Sequence, residues 1–524
     1  MVPVENTSTG AQALIRTLVG AGVDTCFTNP GTSEIHFVAA LDSMPELRAI
    51  LTLFEGVATG AADGYARMTG RPAATLLHLG PGLANGVANL HNARRGRVPV
   101  VNIVGDHATH HVQYDSPLQS DIETVARNVS TWVRTSARAD DVATDAAEAI
   151  AAANGPPGQV ATLIVPADVS WSAARGAGPL YVTTPPPPPD AQHIESVAQA
   201  MRTSPRTGML LGGRALRERG IVAAARIAAS TGVRLFGERG AARIERGAGL
   251  PVVDRLVYWP KLASAQLEGL ENLILVDAAP PVSWFAYPGE PSSLVPDGCR
   301  VWALSPPEGD VLAGLDALTD ALGAAHATPA TQARAPTPRP DGPLTAATVC
   351  QMIGAMLPEG AILCDEAITS AAALPASTAG GPRHDWLTLT GGAIGQGLPV
   401  AVGAAVACPD RPVLALQADG SALYTMQSLW TMAREQLDVT VVIFNNRGYA
   451  ILEAELAGLE GDAIGPRASA LVDLANPDLD FVKVGTGFGV PSRRVDTAEE
   501  LGAALGQAIV EPGPHLIEAM LPAV

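Results

Sequence analysis

The chain has 524 residues, of which 47% are hydrophobic and 16% charged, with a formal net charge of −18. That size and balance fit about three globular domains with buried sheets. The negative charge, with no lysine or arginine cluster to offset it, excludes nucleic acid and anionic membrane surfaces as partners and leaves small-molecule chemistry. No apolar run approaches a membrane span, and Met1–Gly10 lacks a basic stretch followed by an apolar one, so a cytoplasmic location is expected. Cys26, Cys299, Cys350, Cys364 and Cys408 are scattered and never form a CxxC pair, so reduced thiols are expected rather than disulfides or a zinc site.

In chain order, helical patterns such as Ala11–Leu18 alternate with short apolar strands such as Ala74–Leu77, the rhythm of a parallel sheet. The turn-rich segment Phe27–Glu34, the apolar surroundings of Glu55 in Leu51–Arg67, and His78 just after a strand all fall in this first part. A proline run from Thr183 to Pro189 and a second break from Thr328 to Pro343 act as stiff linkers. They divide the chain into expected domains at 1–184, 190–330 and 343–524. In the middle one, Met209–Gly213, Val233–Phe236 and Leu273–Asp277 read as buried strands.

The third part carries the most specific pattern. A buried strand, Val413–Leu416, ends in Ala418-Asp419-Gly420-Ser421; a helix is expected from about Ala422 to Glu435, and a second strand, Val439–Phe444, ends in Asn445-Asn446-Arg447-Gly448. Asp419 and Asn446 therefore fall at the carboxyl ends of neighbouring parallel strands, where open α/β sheets bind ligands. Hard oxygen donors beside a helix N-terminus suit Mg²⁺ or Ca²⁺ bridging a diphosphate.

From Ala418 to Asn446 inclusive is 29 residues, and the stretch resembles the GDG…NN signature of thiamin diphosphate (ThDP) enzymes of the pyruvate decarboxylase, benzoylformate decarboxylase and acetolactate synthase superfamily. The resemblance implies an α/β fold of three doubly wound parallel-sheet domains: pyrimidine-binding, central and diphosphate-binding. It implies ThDP and Mg²⁺ as cofactors, with the metal held by Asp419, the Asn446 side chain and the Gly448 carbonyl, and with Gly420 and Ser421 in the diphosphate turn. Glu55, in a GxADGYAR context, would bond N1′ of the pyrimidine. Gly392 would accept the 4′-amino group through its carbonyl, and Ile394 would bend the cofactor. Thr32 stands where benzoylformate decarboxylase has an active-site serine, and His78, 23 positions after Glu55, where it has an acid/base histidine.

The family pattern is also departed from. Ala418 replaces a glycine, and Val282–Gly289 offers Phe285 and Tyr287 where benzoylformate decarboxylase has a second histidine. In Gly105–Asp121, which resembles a loop of acetolactate synthase, Asp106, Pro117 and Leu118 replace glutamine, phenylalanine and glutamine. One of His110 and His111 aligns with a family histidine there. The central part lacks the segment associated with flavin, so FAD is not expected. The implied activity is C–C bond cleavage or formation on a small 2-oxo acid, by decarboxylation through a carbanion–enamine and then aldehyde release or carboligation, acetolactate synthase-like. The alternatives are a benzoylformate-type decarboxylase and a non-catalytic ThDP-binding paralogue. The resemblance further implies a homodimer at the least and a homotetramer by expectation, because the glutamate and the diphosphate site come from different subunits.

Overall fold

The computed structural model describes residues 8–179, 185–459 and 465–523; Met1–Thr7 and the Thr183–Thr184 start of the first linker lie outside them. Taken over these residues, the chain forms two compact units, one of 1–183, 337–378 and 391–524, the other of 184–336 and 379–390. The proteins's sheets are all parallel in their main ladders, as the alternating sequence pattern requires.

In the first unit, the N-terminal sheet contains β1 (Thr25–Asn29), β2 (Arg48–Leu51), β3 (Ala73–Leu77), β4 (Val100–Asp106), β5 (Trp132–Thr135) and β6 (Val160–Pro166) in the order β2-β1-β3-β4-β6-β5. The chain reverses direction of winding between β1 and β3, so the loops leaving those strands part and open a crevice at their carboxyl ends. Helices α1 (Glu55–Thr69) and α2 (Leu79–Arg95) begin beside it. Leu14, Ile15, Leu18, Phe37, Leu76 and Ile103 belong to the core on this sheet.

The second unit holds a sheet of β7 (Thr207–Leu211), β8 (Arg234–Gly237), β9 (Asp254–Arg255), β10 (Asn272–Val276) and β11 (Arg300–Ala303), ordered β9-β8-β7-β10-β11. The segment 379–390 belongs with this unit, where His384–Asp385–Trp386 pairs antiparallel with Ile244–Arg246.

The rest of the first unit carries β12 (Ala361–Glu366), α3 (Gly397–Ala407), β13 (Val413–Ala418), α4 (Ser428–Glu435), β14 (Val439–Asn445), β15 (Ser492–Val495) and β16 (His515–Met520), with β12-β13-β14-β16-β15 as consecutive neighbours. α3 is apolar all round and buried along nearly its whole length, as such a sequence demands. It packs on α1 through glycines. A Cβ on Gly64 would stand 2.2 Å from the Val400 carbonyl oxygen, and one on Gly403 would stand 1.9 Å from that of Ala61.

One expected element is corrected. Instead of a continuous helix from Ala422 to Glu435 there is a single helical turn, Asp419–Ala422, and then α4. Between them the Thr425 hydroxyl donates to the Gly395 carbonyl (3.0 Å), and Leu423 and Tyr424 turn outward. A side-chain hydroxyl that bonds a distant carbonyl competes with helix continuation.

Candidate functional site

Asp419 stands where β13 ends, 2% exposed. Its Oδ1 accepts the Gly420 N–H (2.8 Å) and its Oδ2 the Arg447 N–H (2.6 Å). The second bond is possible because β14 runs beside β13 and ends in a turn with Arg447 at φ 61°, a left-handed conformation. Asn446 Oδ1 accepts the Gly448 N–H in the same turn (3.2 Å). Burial raises the Asp419 carboxyl above its ordinary range against the pull of backbone amides of Gly420, Arg447, Asn446 and Gly448. Among the described residues no lysine or arginine pairs with it. A buried carboxylate without a cationic partner is costly, and a bound divalent ion removes that cost. The residues present thus fit Mg²⁺, with Asn446 beside Asp419 as a second oxygen donor. Gly420 is needed for a separate reason, since a Cβ there would meet the Tyr449 ring at 2.4 Å. The Ser421 hydroxyl donates to the carbonyls of Ala418 (3.1 Å) and Glu366 (3.3 Å).

The Gly392–Gly395 loop lies between β12 and α3, with Gly392 at φ 80° and Gly395 at φ 92°. Glycine alone adopts these angles without strain. Three residues of α2, which sequence reasoning did not single out, clamp this loop. Asn92 donates to the Ala393 carbonyl (2.7 Å) and accepts the Ala393 N–H (3.2 Å), Asn89 donates to the Gly395 carbonyl (3.2 Å), and His91 Nε2 meets the Gly391 carbonyl oxygen (3.1 Å). Ile394 is half-buried beside Gly392.

At the crevice of the N-terminal sheet, Glu55 opens α1 and is buried, its Oε2 accepting the Asn85 amide (3.0 Å). His78 precedes α2. A Cβ on Gly82 would lie 3.2 Å from Glu55 Oε1 and 3.4 Å from His78 Cβ, so both side chains border the first turn of α2. His78 Nδ1 meets Glu34 Oε2 at 2.8 Å, and the same oxygen accepts the Gly31 N–H (2.8 Å). Burial raises the Glu34 carboxyl, with His78 opposing. Thr32 is exposed in the turn Thr32–Glu34, next to Gly31, whose missing side chain leaves room for the His78 ring. Glu34 went unrecognised as His78's partner because 44 residues separate them; its place in a turn after an Asn-Pro-Gly was the available signal.

Asp106 ends β4, accepts the His107 N–H (2.7 Å), and is raised by burial. His110 is mostly exposed and 4.0 Å from Asp168, while His111 packs its ring beside those of His107 and Tyr114. Neither reaches Glu55 or His78 by any contact the structure describes.

Parallel sheets with a buried glutamate at one crevice and, at the carboxyl end of another sheet, a buried aspartate without a cationic partner among the described residues are the features of an α/β enzyme that binds a small ligand at its strand ends. Two models of the thiamine pyrophosphate enzyme family match, the N-terminal TPP binding domain at 8–129 and the C-terminal TPP binding domain at 370–519. The chain is 55% identical, over 98% of its length and 99% of the relative's, to a Mycobacterium tuberculosis protein named provisionally as acetolactate synthase large subunit IlvX. It is 30% identical to the benzoylformate decarboxylase of Pseudomonas aeruginosa, over 95% of this chain and 96% of that one. It belongs to the family of ThDP-dependent enzymes. The structure of a ThDP-dependent 4-hydroxybenzoylformate decarboxylase from Rhodococcus jostii has the same fold, with TM-score 0.84 at 24% identity, covering 99% of this chain and 100% of that one. Among the described residues no helix is long and apolar enough to cross a membrane.

Proposed function

We propose that the protein, with ThDP and Mg²⁺ bound, decarboxylates a small 2-oxo acid and either joins the product to a second carbonyl compound, as an acetolactate synthase-like enzyme, or releases it as an aldehyde. Asp419 carries the reading, as a buried carboxylate with no cationic partner among the described residues, in a turn that falls within the stretch matched by the C-terminal TPP binding domain model. Asp419, Asn446 and the Gly448 carbonyl would hold the metal, and Gly420 and Ser421 would line the diphosphate. Bound ThDP supplies a nucleophilic carbon and an electron sink for the charge left by loss of CO₂. Glu55 would share a proton with the pyrimidine ring, while Gly392 and Ile394 would fix the relative orientation of its two rings.

His78 favours aldehyde release as a second reading, of the benzoylformate decarboxylase type. Its Nδ1 is fixed by Glu34, which leaves Nε2 to hold a proton for transfer or to bind the substrate carboxylate. Thr32 would add a hydroxyl donor beside it. Flavin has no part in the proposal. At the switch point of the central sheet, the Gly213 N–H is taken by Glu238 (2.9 Å) and the Arg214 N–H by Asp277 (2.8 Å), so these amides are already engaged by carboxylates rather than turned to a dinucleotide phosphate. The domain limits 1–184, 190–330 and 343–524, a cytoplasmic location, and a homodimer that pairs further into a tetramer complete the reading.

Product analysis by ¹H NMR tests it, with ThDP, Mg²⁺ and separately pyruvate, benzoylformate, and pyruvate with 2-oxobutyrate. Acetohydroxy acids identify the synthase and aldehyde alone the decarboxylase. Cofactor binding without any product from these acids, or from a wider panel of 2-oxo acids, removes the proposal and leaves the non-catalytic paralogue.

A further inference from the structure

Glu366 ends β12 and is 1% exposed. Its Oε1 accepts the N–H groups of Gly395 (2.7 Å) and Gln396 (3.2 Å), and its Oε2 that of Gly397 (2.7 Å). One carboxyl group thus gathers three successive amides where the glycine loop becomes α3. No side chain of the helix itself does this, since Gln396 in the cap position turns away to donate to Asp63 (2.6 Å), which is paired in turn with Arg67. Through its main chain Glu366 reaches the other half of the cofactor site as well, because its carbonyl accepts the Ser421 hydroxyl of the Asp419 turn (3.3 Å). Its neighbour on β13, Gln417, fills the remaining space: a Cβ on Gly397 would stand 1.9 Å from Gln417 Nε2.

We propose that Glu366 is a positioning residue, which sets the loop carrying Gly392 and Ile394 in register with the turn carrying Asp419 and Ser421. The inference rests on the ThDP reading above. An ordinary helix cap would serve only α3. Here the three amides anchor a loop whose glycines have left-handed angles, and whose other end is clamped by Asn92, so the carboxyl fixes the loop where it meets the cofactor rather than where the helix needs support.

The test compares wild type with Glu366→Gln, following ThDP binding in the presence of Mg²⁺ by tryptophan fluorescence and the near-ultraviolet circular dichroism of the protein saturated with cofactor. The expected result is an affinity lowered by about tenfold or more, as fits loss of one of the two acceptor oxygens that hold the three loop amides, together with an altered dichroism band at saturation. An unchanged band and an affinity within about twofold of wild type overturn the inference, even if the apoprotein melts earlier, because a cap that supports only α3 would do that alone. If Glu366→Gln does not fold, Glu366→Asp takes its place; it keeps the carboxyl group but shortens the reach, and the same two criteria decide. Absence of ThDP binding by the wild type would instead defeat the underlying functional reading.

Discussion

Glu55 has one bond from Asn85 and stands next to the first turn of α2, so removing its carboxyl leaves the helices in place and takes away only the proton it would share with the cofactor. Glu55→Ala is expected to lower kcat by about 10² to 10⁴, with cofactor affinity within a few-fold of wild type. Steady-state kinetics beside a binding titration measures both, and full turnover in this variant would remove Glu55 from the mechanism. Glu366 makes a different prediction, on stability. Burial pushes its carboxyl up to about 7, against the pull of the three loop amides and of Gln417. The neutral form is therefore favoured by the fold. Its contribution is complete below the ordinary carboxyl value and is lost as pH rises through about 7, on the order of 3 kcal/mol at the most. Gln396, one of the loop residues it holds, links it to the Asp63–Arg67 pair, whose members hold one another at 2.6 Å, and Asp365 precedes it on its own strand. Urea unfolding of the apoprotein should show wild type losing stability relative to Glu366→Gln between pH 5 and pH 8. Parallel curves would show that the group titrates elsewhere.

At the scale of elements, α1 and α3 touch backbone to backbone through Gly64 and Gly403, and the walls they meet are carbonyl oxygens that cannot rotate away. Gly403→Ala is expected to push the helices apart at a cost of about 1–3 kcal/mol, read as an earlier urea midpoint, with a matching loss of cofactor affinity because Glu55 and the Gly392 loop sit at the ends of these helices. A midpoint equal to wild type would mean the contact relaxes freely. These same elements show what the sequence makes legible. The strands Val413–Ala418 and Val439–Asn445 follow from continuous apolar runs, and the turns that end them from their glycine, asparagine and aspartate. The broken helix after Asp419 was not legible, since the pattern of Ala422–Glu435 is helical and the competing acceptor is the Gly395 carbonyl, 30 positions away. The Asn92 clamp, 301 positions from Ala393, is closed to local pattern for the same reason. Motifs state which residues do chemistry when they are contiguous; the residues that hold them in place are found by topology.

For the whole molecule, similarity runs along nearly the full length of this chain and of both relatives, so the question that remains is how the site is assembled from copies of the chain. The proposed homodimer makes Glu55 of one protomer serve the cofactor held by Asp419 of the other. That arrangement can be tested without a substrate-specific argument, because the two residues lie on separate elements and each single variant leaves the other residue intact. Glu55→Ala and Asp419→Ala are expected to be nearly inactive alone, the first for want of the pyrimidine contact and the second for want of the metal. When the two are mixed, dissociated and re-formed, half of the dimers are hybrids, and each hybrid has one site with both residues and one with neither. Activity should return to about a quarter of wild type, and it should appear only after subunit exchange. Recovery of nothing after proven exchange would place Glu55 and Asp419 of the same protomer at one site.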